Sequence, residues 1–482
     1  MSSVLEHSHQ SEFSALALLG ESAEEAGPYE TDVIGKIPEQ LSGTLYRNGP
    51  GLFERAGVKK KHLLDGDGFV QALRINDAKA SYTSRFVQTE KFIAEERAQK
   101  FLTPTWSTLA PKTISRNLGA RLLPQAGVTV VKRGDGLFAF DDAGAPYELD
   151  PSTLETRRNL KGDGQFPLPS YNAHSTIDAK TGEWIQFGLT YGPTNRVHLS
   201  MSNQDGSTAR QYSYPVSCST YFHDFFVTEK HVVFLIHALR FNPTKMLLGL
   251  SSLIDSFKWQ PQAGNEIWVI SRETGELNAK IDSDPVFMWH SLNAYDRGDE
   301  IIADFVGYDE PDHFIGDNAE FHSVMSGRSG AAKYPGTVRR YVINPAQKKV
   351  RTTTVADGYH EFPMINPSHY CREHRIGYFT KGFEDGTNLH NGITKIDMQT
   401  GRTEDYCFGA GYHAGEPVIV KDHSSPEDEN KGWLLSQFLE AESGKSGFAI
   451  FNAERVSDGP VAKIMMEAHA PLSFHGWWSS SV

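Results

Sequence analysis

An all-β chain made of radially repeated four-stranded blades is what the sequence predicts, on three observations. Strand-like runs fill it from end to end: VTVVKRGDGLFAF, EWIQFGLTYG, HDFFVTEKHVVFLIH, EIWVIS, DEIIADFVGYD, VRRYVINP, HRIGYFTKGF, GWLLSQFLE and SGFAIFNAE. They are rich in β-branched and aromatic residues. DG, NG, TG, RGD and ETGE turn signals separate them, in a chain with 43 Gly and 24 Pro. IDAKTGEW, ISRETGEL and IDMQTGRT then echo one device, in which a strand ends on a polar stretch, a TG turn follows and a new strand starts. The echo does not count the blades. Length alone would allow about two or three domains, but repeat folds run longer as one unit, and one domain over 1–482 is expected.

Four histidines sit at the end of, or inside, such runs. They are His174 in YNAHSTID, His223 in YFHDFFVT, His290 in FMWHSLNAYDRGDE and His475 in PLSFHGWW. Their spread over roughly three hundred residues excludes a zinc-finger hairpin. Any one of the 19 His is more often a hydrogen-bonded structural residue than a ligand. A site drawn from four distant strands needs a closed, roughly symmetric β scaffold, and inner strands of different blades do meet at an axis. Four neutral imidazoles leave a metal's double charge uncompensated. Carboxylates behind them should therefore accept the other ring N–H, and Glu361 in HEFPMINP and Glu416 in YHAGEPVIV are candidates.

Other segments complete a pattern: GTLYRNGPG from Gly43 to Gly51, HLLDGDGFVQAL from His62 to Leu73, SRFVQTEKFIAEERAQK from Ser84 to Lys100, and APYELDPSTLET from Ala145 to Thr156. With the four histidine blocks, HEFPMINP, GEPVIV and the terminal FHGWW, they resemble the carotenoid cleavage oxygenases, a non-haem iron family, in family order and nearly end to end. The resemblance implies a seven-bladed β-propeller with helical and loop insertions forming a cap over an axial iron site. It implies His174, His223, His290 and His475 as ligands of one Fe(II) per chain, with dioxygen as co-substrate. Glu361 and Glu416 would back His290 and His475. For His223 the family usually has a Glu before an A/G-G-x-P-Y stretch. Here LFAFDDAGAPYELD places Asp142, or in a less favoured register Asp141. Asp is one methylene shorter, so its carboxylate is expected to fall short, with a shifted strand, a bridging water or a looser imidazole as the result. Glu148 is read as structural. Where the family often has Asn-Thr-Asn near the iron, QAGVTVV stands, and either Val128 or Thr129 fills that place.

The net charge of −13 argues against nucleic acid. No run of 18 apolar residues spans a membrane. Residues 1–27 are acidic, without a basic start or an apolar core, and read as a loose tail or short amphipathic helix rather than a signal. Cys218, Cys371 and Cys407 show no metal spacing and read as free, mostly buried thiols of a reducing cytoplasm. No obligatory protein partner is evident. Two stretches break the β pattern, 97–124 and 241–262. The first carries Phe101, Leu102 and Trp106, the second Met246, Leu247, Leu248, Leu250 and Leu253. They read either as lids on the propeller or as an apolar patch dipping into one leaflet. The family resemblance favours the patch, at the entry for a hydrophobic polyene, on a cytoplasmic protein held peripherally at a membrane surface. Asp65-Gly66-Asp67-Gly68 lacks the remaining ligands of a calcium loop, with Phe69 at the next position.

Four imidazoles fill four positions of a six-coordinate iron and leave two open. No flavin, haem or nicotinamide site is evident, so the reaction should need only Fe(II), dioxygen and an electron-rich alkene. The favoured function is oxidative cleavage of a conjugated C=C of a carotenoid or apocarotenoid to two carbonyl products. The rival is cleavage of stilbene- or isoeugenol-type phenylpropanoids. Family members of that kind engage a phenol with a Lys and a Tyr, where this chain has Asp141 and, in KFLTPTW, Phe101. A phenolate would meet a carboxylate, the wrong sign. An isomerase, or a carotenoid binder without turnover, is the reading of another class.

Overall fold

Burial along each strand reports its place in the molecule. Thr208–Val216 alternates half-buried and exposed residues, whereas Trp184–Thr190, two strands further in, is buried almost throughout. Alternation marks a strand with one face in solvent, and continuous burial marks one between neighbouring sheets. The same gradient recurs around the molecule because it is a seven-bladed propeller. The computed structural model describes residues 17–111, 114–119, 122–316, 319–328, 332–383, 389–467, 469–471 and 473–480.

The first blade runs outward from Thr129–Arg133 through Gly136–Phe140 and Tyr147–Leu149 to Thr156–Asn159. The second starts at Ser175–Ile177, the third at Phe226–Val227, the fourth at Phe287–Arg297 and the fifth at Tyr359–Met364. The sixth has a split inner strand, Tyr412–Ala414 and Val418–Lys421, both pairing Gly432–Glu440. The seventh closes the ring with both ends of the chain: C-terminal His475–Ser479 is innermost and pairs with Gly43–Leu52, with Asn48 opposite His475. N-terminal Asp32–Gly35 also finishes the sixth blade by pairing Pro460–Met465. Between these last two blades pack Leu45, Leu73, Val418, Leu435 and Phe448.

Three insertions rise from one side of this ring. The segment after Lys79–Phe86 opens with the helix Glu90–Ala98, whose first turn is capped by Thr89 Oγ1 accepting from Phe92 N at 3.0 Å. The third blade carries the hairpin Leu239–Phe241/Phe257–Trp259 and the short helix Pro243–Leu247. The fourth carries the helix Glu320–Val324. The Asp65-Gly66-Asp67-Gly68 turn is bound into the first insertion. Asp65 accepts from Ser107 N at 2.8 Å and Thr108 Oγ1 at 2.6 Å. Asp67 lies 2.6 Å from Lys91 Nζ, which also pairs with Glu95 at 3.0 Å, all of them buried. The aspartates are thus spent on protein donors.

Three expectations are corrected here. Residues 1–16 lie outside the described residues, but the rest of the segment read as loose is packed. Leu19 is buried with Phe53 and Leu63, and Ala26–Glu30 is the outer strand of the seventh blade. Phe101 and Trp106 are buried as well, at 1% and 6% exposure, so neither is available to a membrane. The Phe101 ring lies under Lys60 Nζ, 4.0 Å from its centroid, and Trp106 joins the largest core cluster. Cys371 is buried, but Cys407 is exposed. No helix of the described residues is long and apolar enough to cross a membrane.

Lys91→Ala would leave Asp67 and Glu95 buried without their cation. Its expected cost is about 3–5 kcal/mol, the range for breaking a buried pair from one side. Urea denaturation checks this, and an unchanged midpoint would show that the cluster does not hold the insertion to the ring.

Candidate metal centre

Seven inner strands approach one axis, and each histidine singled out from the sequence arrives on a different one. His174 and His223 precede Ser175–Ile177 and Phe226–Val227, His290 lies within Phe287–Arg297, and His475 begins the closing strand. Their ligand-capable atoms all lie within 4.8 Å of one another. The three remaining blades supply the carboxylates. Asp142, at the end of the first blade's second strand, is 2.6 Å from His223 Nδ1. Glu361 of the fifth is 2.5 Å from His290 Nδ1, and Glu416 of the sixth is 2.8 Å from His475 Nδ1. A carboxylate accepts only, so each of these Nδ1 atoms carries the proton and each Nε2 turns a lone pair to the axis. His174 differs: its Nδ1 is 3.9 Å from Asp224 Oδ2, which is itself held by Ser291 N and Oγ at 2.8 Å each.

The electrostatics follow from burial and these partners. Burial, and then the neighbouring imidazoles, push His174 well below the ordinary imidazole value. Burial takes His475 down to about 4 against the pull of Glu416. For His290 burial also acts downward, but Glu361 outweighs it and the value rises. Burial would raise Asp142, Glu361 and Glu416, yet their imidazole partners, and Arg47 beside Glu416, hold all three low.

This donor set fits a divalent cation. His174 and His223 turn their Nε2 atoms to each other at 3.0 Å. His290 Nε2 is buried with no hydrogen-bond partner among the described residues. A proton on His174 Nε2 would join that one pair, but ring nitrogens gathered so closely otherwise set lone pairs against one another, which a shared cation relieves. Of the three carboxylates hydrogen-bonded to imidazoles, one is offset by Arg47, whose guanidinium is 2.9 Å from Glu416 Oε2, and a doubly charged ion would match the other two.

The expected shortfall of Asp142 is not found. Its Oδ2 reaches His223 directly and also accepts from Tyr221 Oη at 2.7 Å, while its Oδ1 accepts from Ala173 N at 2.6 Å. The Ala173 N–H and the Tyr221 hydroxyl hold the shorter side chain where it meets His223. Asp141 instead accepts three backbone N–H groups, from Gln125, Ala126 and Ala143. Glu148 pairs with Arg157 and Arg158 away from the axis. Both residues left open at the Asn-Thr-Asn position border the histidines, Val128 in one cavity and Thr129 in another, and Thr129 donates its hydroxyl to Ala173 O at 2.6 Å.

Three residues at the site carried no sequence signal that set them apart. Arg47 and Tyr221 support Glu416 and Asp142. Phe362 stacks on His290 with centroids 5.3 Å apart. Its φ of +50° is uncommon for a bulky residue and lies in an irregular stretch of the Tyr359–Met364 ladder, which lets Glu361 and Phe362 both serve His290.

A largely apolar cavity, with Phe53, Leu64, Val128, Trp289 and Phe321 among its walls, reaches His223, His290 and His475. A second, with Phe225, Leu292 and Trp477, meets His174, His290 and His475. The two insertions singled out in the sequence touch: Gly119 N donates to Leu247 O at 2.9 Å. Between them they expose Ile114, Leu118, Leu123, Leu247, Leu248 and Leu250, the last at 62%. Leu102, Met246 and Leu253 are half-buried. Ile254 N donates to Trp106 O at 2.9 Å, and Trp106 lines the first cavity, so this patch is tied to the cavity wall.

The family model described as retinal pigment epithelial membrane protein matches residues 20–480. The apocarotenoid-15,15'-oxygenase of Synechocystis sp. is 28% identical over 93% of this chain and 93% of its own length. The isoeugenol monooxygenase of Pseudomonas nitroreducens is 25% identical over 94% and 95%. A crystal structure of cobalt-substituted Synechocystis ACO superimposes with a TM-score of 0.90 at 26% identity, covering 97% of this chain and 98% of that one.

His290→Ala should abolish stoichiometric metal binding, measured by elemental analysis after loading and desalting; normal content would remove His290 from the donor set. Asp142→Asn keeps the length and removes the charge. It should weaken metal affinity by about 10–100-fold, the usual effect of losing such a partner, with thermal stability nearly unchanged. Equal affinity in a chelator competition would show that the His223–Asp142 contact does not tune the site.

Proposed function

The chain belongs to the retinal pigment epithelial membrane protein family, and from that premise we propose that it is an Fe(II)-dependent dioxygenase. It would cleave one conjugated C=C of an apocarotenoid or carotenoid to two carbonyl products, as one catalytic domain. The observation that carries this reading is the cluster of four imidazoles, three of them backed by carboxylates, at the end of an apolar cavity. Each of the two alkene carbons takes one oxygen atom of O₂, so electrons balance with no external reductant. Bound iron would supply the activation of dioxygen.

The chain's own residues do the rest. His174, His223, His290 and His475 would hold the metal by Nε2. Asp142, Glu361 and Glu416 fix the imidazole tautomers by holding the proton on Nδ1. The four imidazoles leave two of six positions open. Phe362 and Trp289 pack on His290 and His223 and exclude water beside the site. Apolar walls position one double bond of a polyene, and that positioning decides which bond is cut.

The phenylpropanoid reading has a relative behind it, the isoeugenol monooxygenase. The walls favour the polyene. Asp141 lines the cavity as a carboxyl bound by backbone N–H groups, and Phe101 is buried under Lys60, so these two positions offer a phenolate no Lys–Tyr pair. For the exposed patch around Leu247 and Leu250, flanked by Arg116 and Lys245, the reading is peripheral attachment to a membrane, on the cytoplasmic side, with the substrate entering from the leaflet.

Protein loaded anaerobically with Fe(II) is given an apocarotenal in mild detergent, and separately resveratrol, under ¹⁸O₂. Two labelled aldehydes from the apocarotenal are expected by mass spectrometry, and their masses locate the cut bond. Cleavage of resveratrol alone moves the chain to the phenylpropanoid reading. An isomerised polyene without oxygen uptake makes it an isomerase. Leu247→Glu with Leu250→Glu should reduce co-sedimentation with liposomes while metal content stays constant; unchanged sedimentation would return the patch to a lid.

A further inference from the structure

The cavity that reaches the four imidazoles is not apolar throughout. Where the fifth and sixth blades form its wall it is lined by His390 and His413, neither of them part of the four-imidazole cluster. His390 lies in the connection before Gly392–Asp397, and His413 lies in Tyr412–Ala414. The two positions are tied together, since Ala414 N donates to His390 O at 2.9 Å. Both side chains are buried, at 6% and 4% exposure. Each has a ring Nε2 without a hydrogen-bond partner among the described residues. Buried polar atoms are nearly always paired, and leaving one unpaired destabilises. Unpaired nitrogens on residues lining one cavity, His313 Nδ1 among them, mark a place where a bound molecule supplies the partner.

The proton of His390 can be assigned from its network. Thr380 Oγ1 lies 3.0 Å from Glu361 O and 3.0 Å from His390 Nδ1. A threonine hydroxyl has one proton, and a carbonyl can only accept. The hydroxyl proton therefore lies on the line to Glu361 O, because two oxygens at that distance with no proton between them repel. Thr380 Oγ1 in turn accepts from His390, whose proton is on Nδ1. Burial keeps the ring neutral, taking His390 down to about 3 against the pull of Glu361. What His390 offers the cavity is a bare Nε2 lone pair, across the ring from the Thr380 that anchors it.

We infer that His390 Nε2 accepts a hydrogen bond from a hydroxyl group of the substrate, which makes His390, with His413 beside it, a specificity-determining pole in the apolar cavity. The inference rests on the reading of this cavity as the substrate's. The ligand it selects is an elongated conjugated alkene carrying an alcohol or phenol O–H. A carbonyl oxygen at the same place would set lone pair against lone pair. An aldehyde end is therefore expected to lie away from His390, and a hydroxylated end toward it.

The test is equilibrium binding under anaerobic conditions, read by quenching of tryptophan fluorescence, because Trp106 and Trp289 line the cavity. The ligands are polyenes matched except for one group: a terminal alcohol, aldehyde or methyl, and a ring with or without a hydroxyl. Stilbene with and without a 4-hydroxyl completes the set. Wild-type protein should bind the hydroxylated member of at least one pair about tenfold more tightly, the scale of one buried acceptor satisfied or left open. The pair that responds tells a terminal alcohol, a ring hydroxyl and a phenol apart. His390→Phe should erase the preference and bind the methyl-ended polyene at least as well as wild type, and His390→Gln should restore part of it. Equal preference in wild type and His390→Phe overturns the inference. So does wild type without any hydroxyl preference, a comparison that changes only the ligand and needs no variant to fold. Cleavage and binding of none of these alkenes by the iron-loaded wild type would instead sink the dioxygenase reading, and this one with it.

Discussion

Four imidazole lone pairs brought to one point repel, and the rest of the molecule is arranged to hold them there. Three carboxylates keep the protons on Nδ1 and so keep the lone pairs pointed inward. Burying those carboxylates would be costly unless opposite charge came with them, and Arg47 brings part of it. Its guanidinium bonds Glu416 and also Ser473, on the approach to the closing strand. Arg47 sits opposite Gly476 in the closing ladder, and a Cβ at Gly476 would meet Arg47 Cδ at 2.6 Å. The contact that closes the ring is therefore also the contact that finishes the site. His475 takes its place only when the last strand has paired with Gly43–Leu52.

The division of duties around the ring follows from the same constraint. A carboxylate stands behind each of three imidazoles and comes from another blade, adjacent for His290 and His475 and one blade removed for His223. Asp142 of the first blade serves His223 of the third, passing beside Ala173 of the second. Glu361 of the fifth serves His290 of the fourth, and Glu416 of the sixth serves His475 of the seventh. His174 of the second blade is left with Asp224, at 3.9 Å. Burial pushes that carboxyl above its usual range. Three carboxylates are thus hydrogen-bonded to three of the four imidazoles, and a divalent ion together with Arg47 would balance them.

Much of this was legible in the sequence. The four histidine blocks stood out because they resemble one family in order, and they converge; local pattern alone does not select them, since His231 also opens an aromatic, β-branched run yet lies on a second strand. The reach of Asp142 was not legible. Side-chain length is visible in a sequence, but the approach of Ala173 and Tyr221 from other blades is not, and they set where a short carboxylate ends. Phe101 and Trp106 misled for a related reason. An aromatic residue among Lys and Arg reads the same whether it faces solvent or folds under Lys60 and the third blade's hairpin. Arg47 sits in a strand whose sequence gives no hint of a partner 369 residues away.

What separates a metal-ligand histidine from a hydrogen-bond acceptor in this cavity is the group behind it. His290 and His390 carry the same tautomer, with the proton on Nδ1 and the Nε2 lone pair without a hydrogen-bond partner among the described residues. They are joined through one residue: Glu361 gives its carboxylate to His290 and its carbonyl to Thr380, which anchors His390. Behind His290 stands a full negative charge, which raises the basicity of the ring and suits it to a cation. Behind His390 stands a neutral hydroxyl oxygen, and burial drives its basicity down. Such a lone pair competes poorly for a metal or a proton but still accepts an O–H, since a neutral hydrogen bond demands far less charge on the acceptor. With one glutamate supporting both rings from opposite ends of its own backbone and side chain, the site that would activate dioxygen and the pole that would orient the substrate are held in fixed register by the fifth blade.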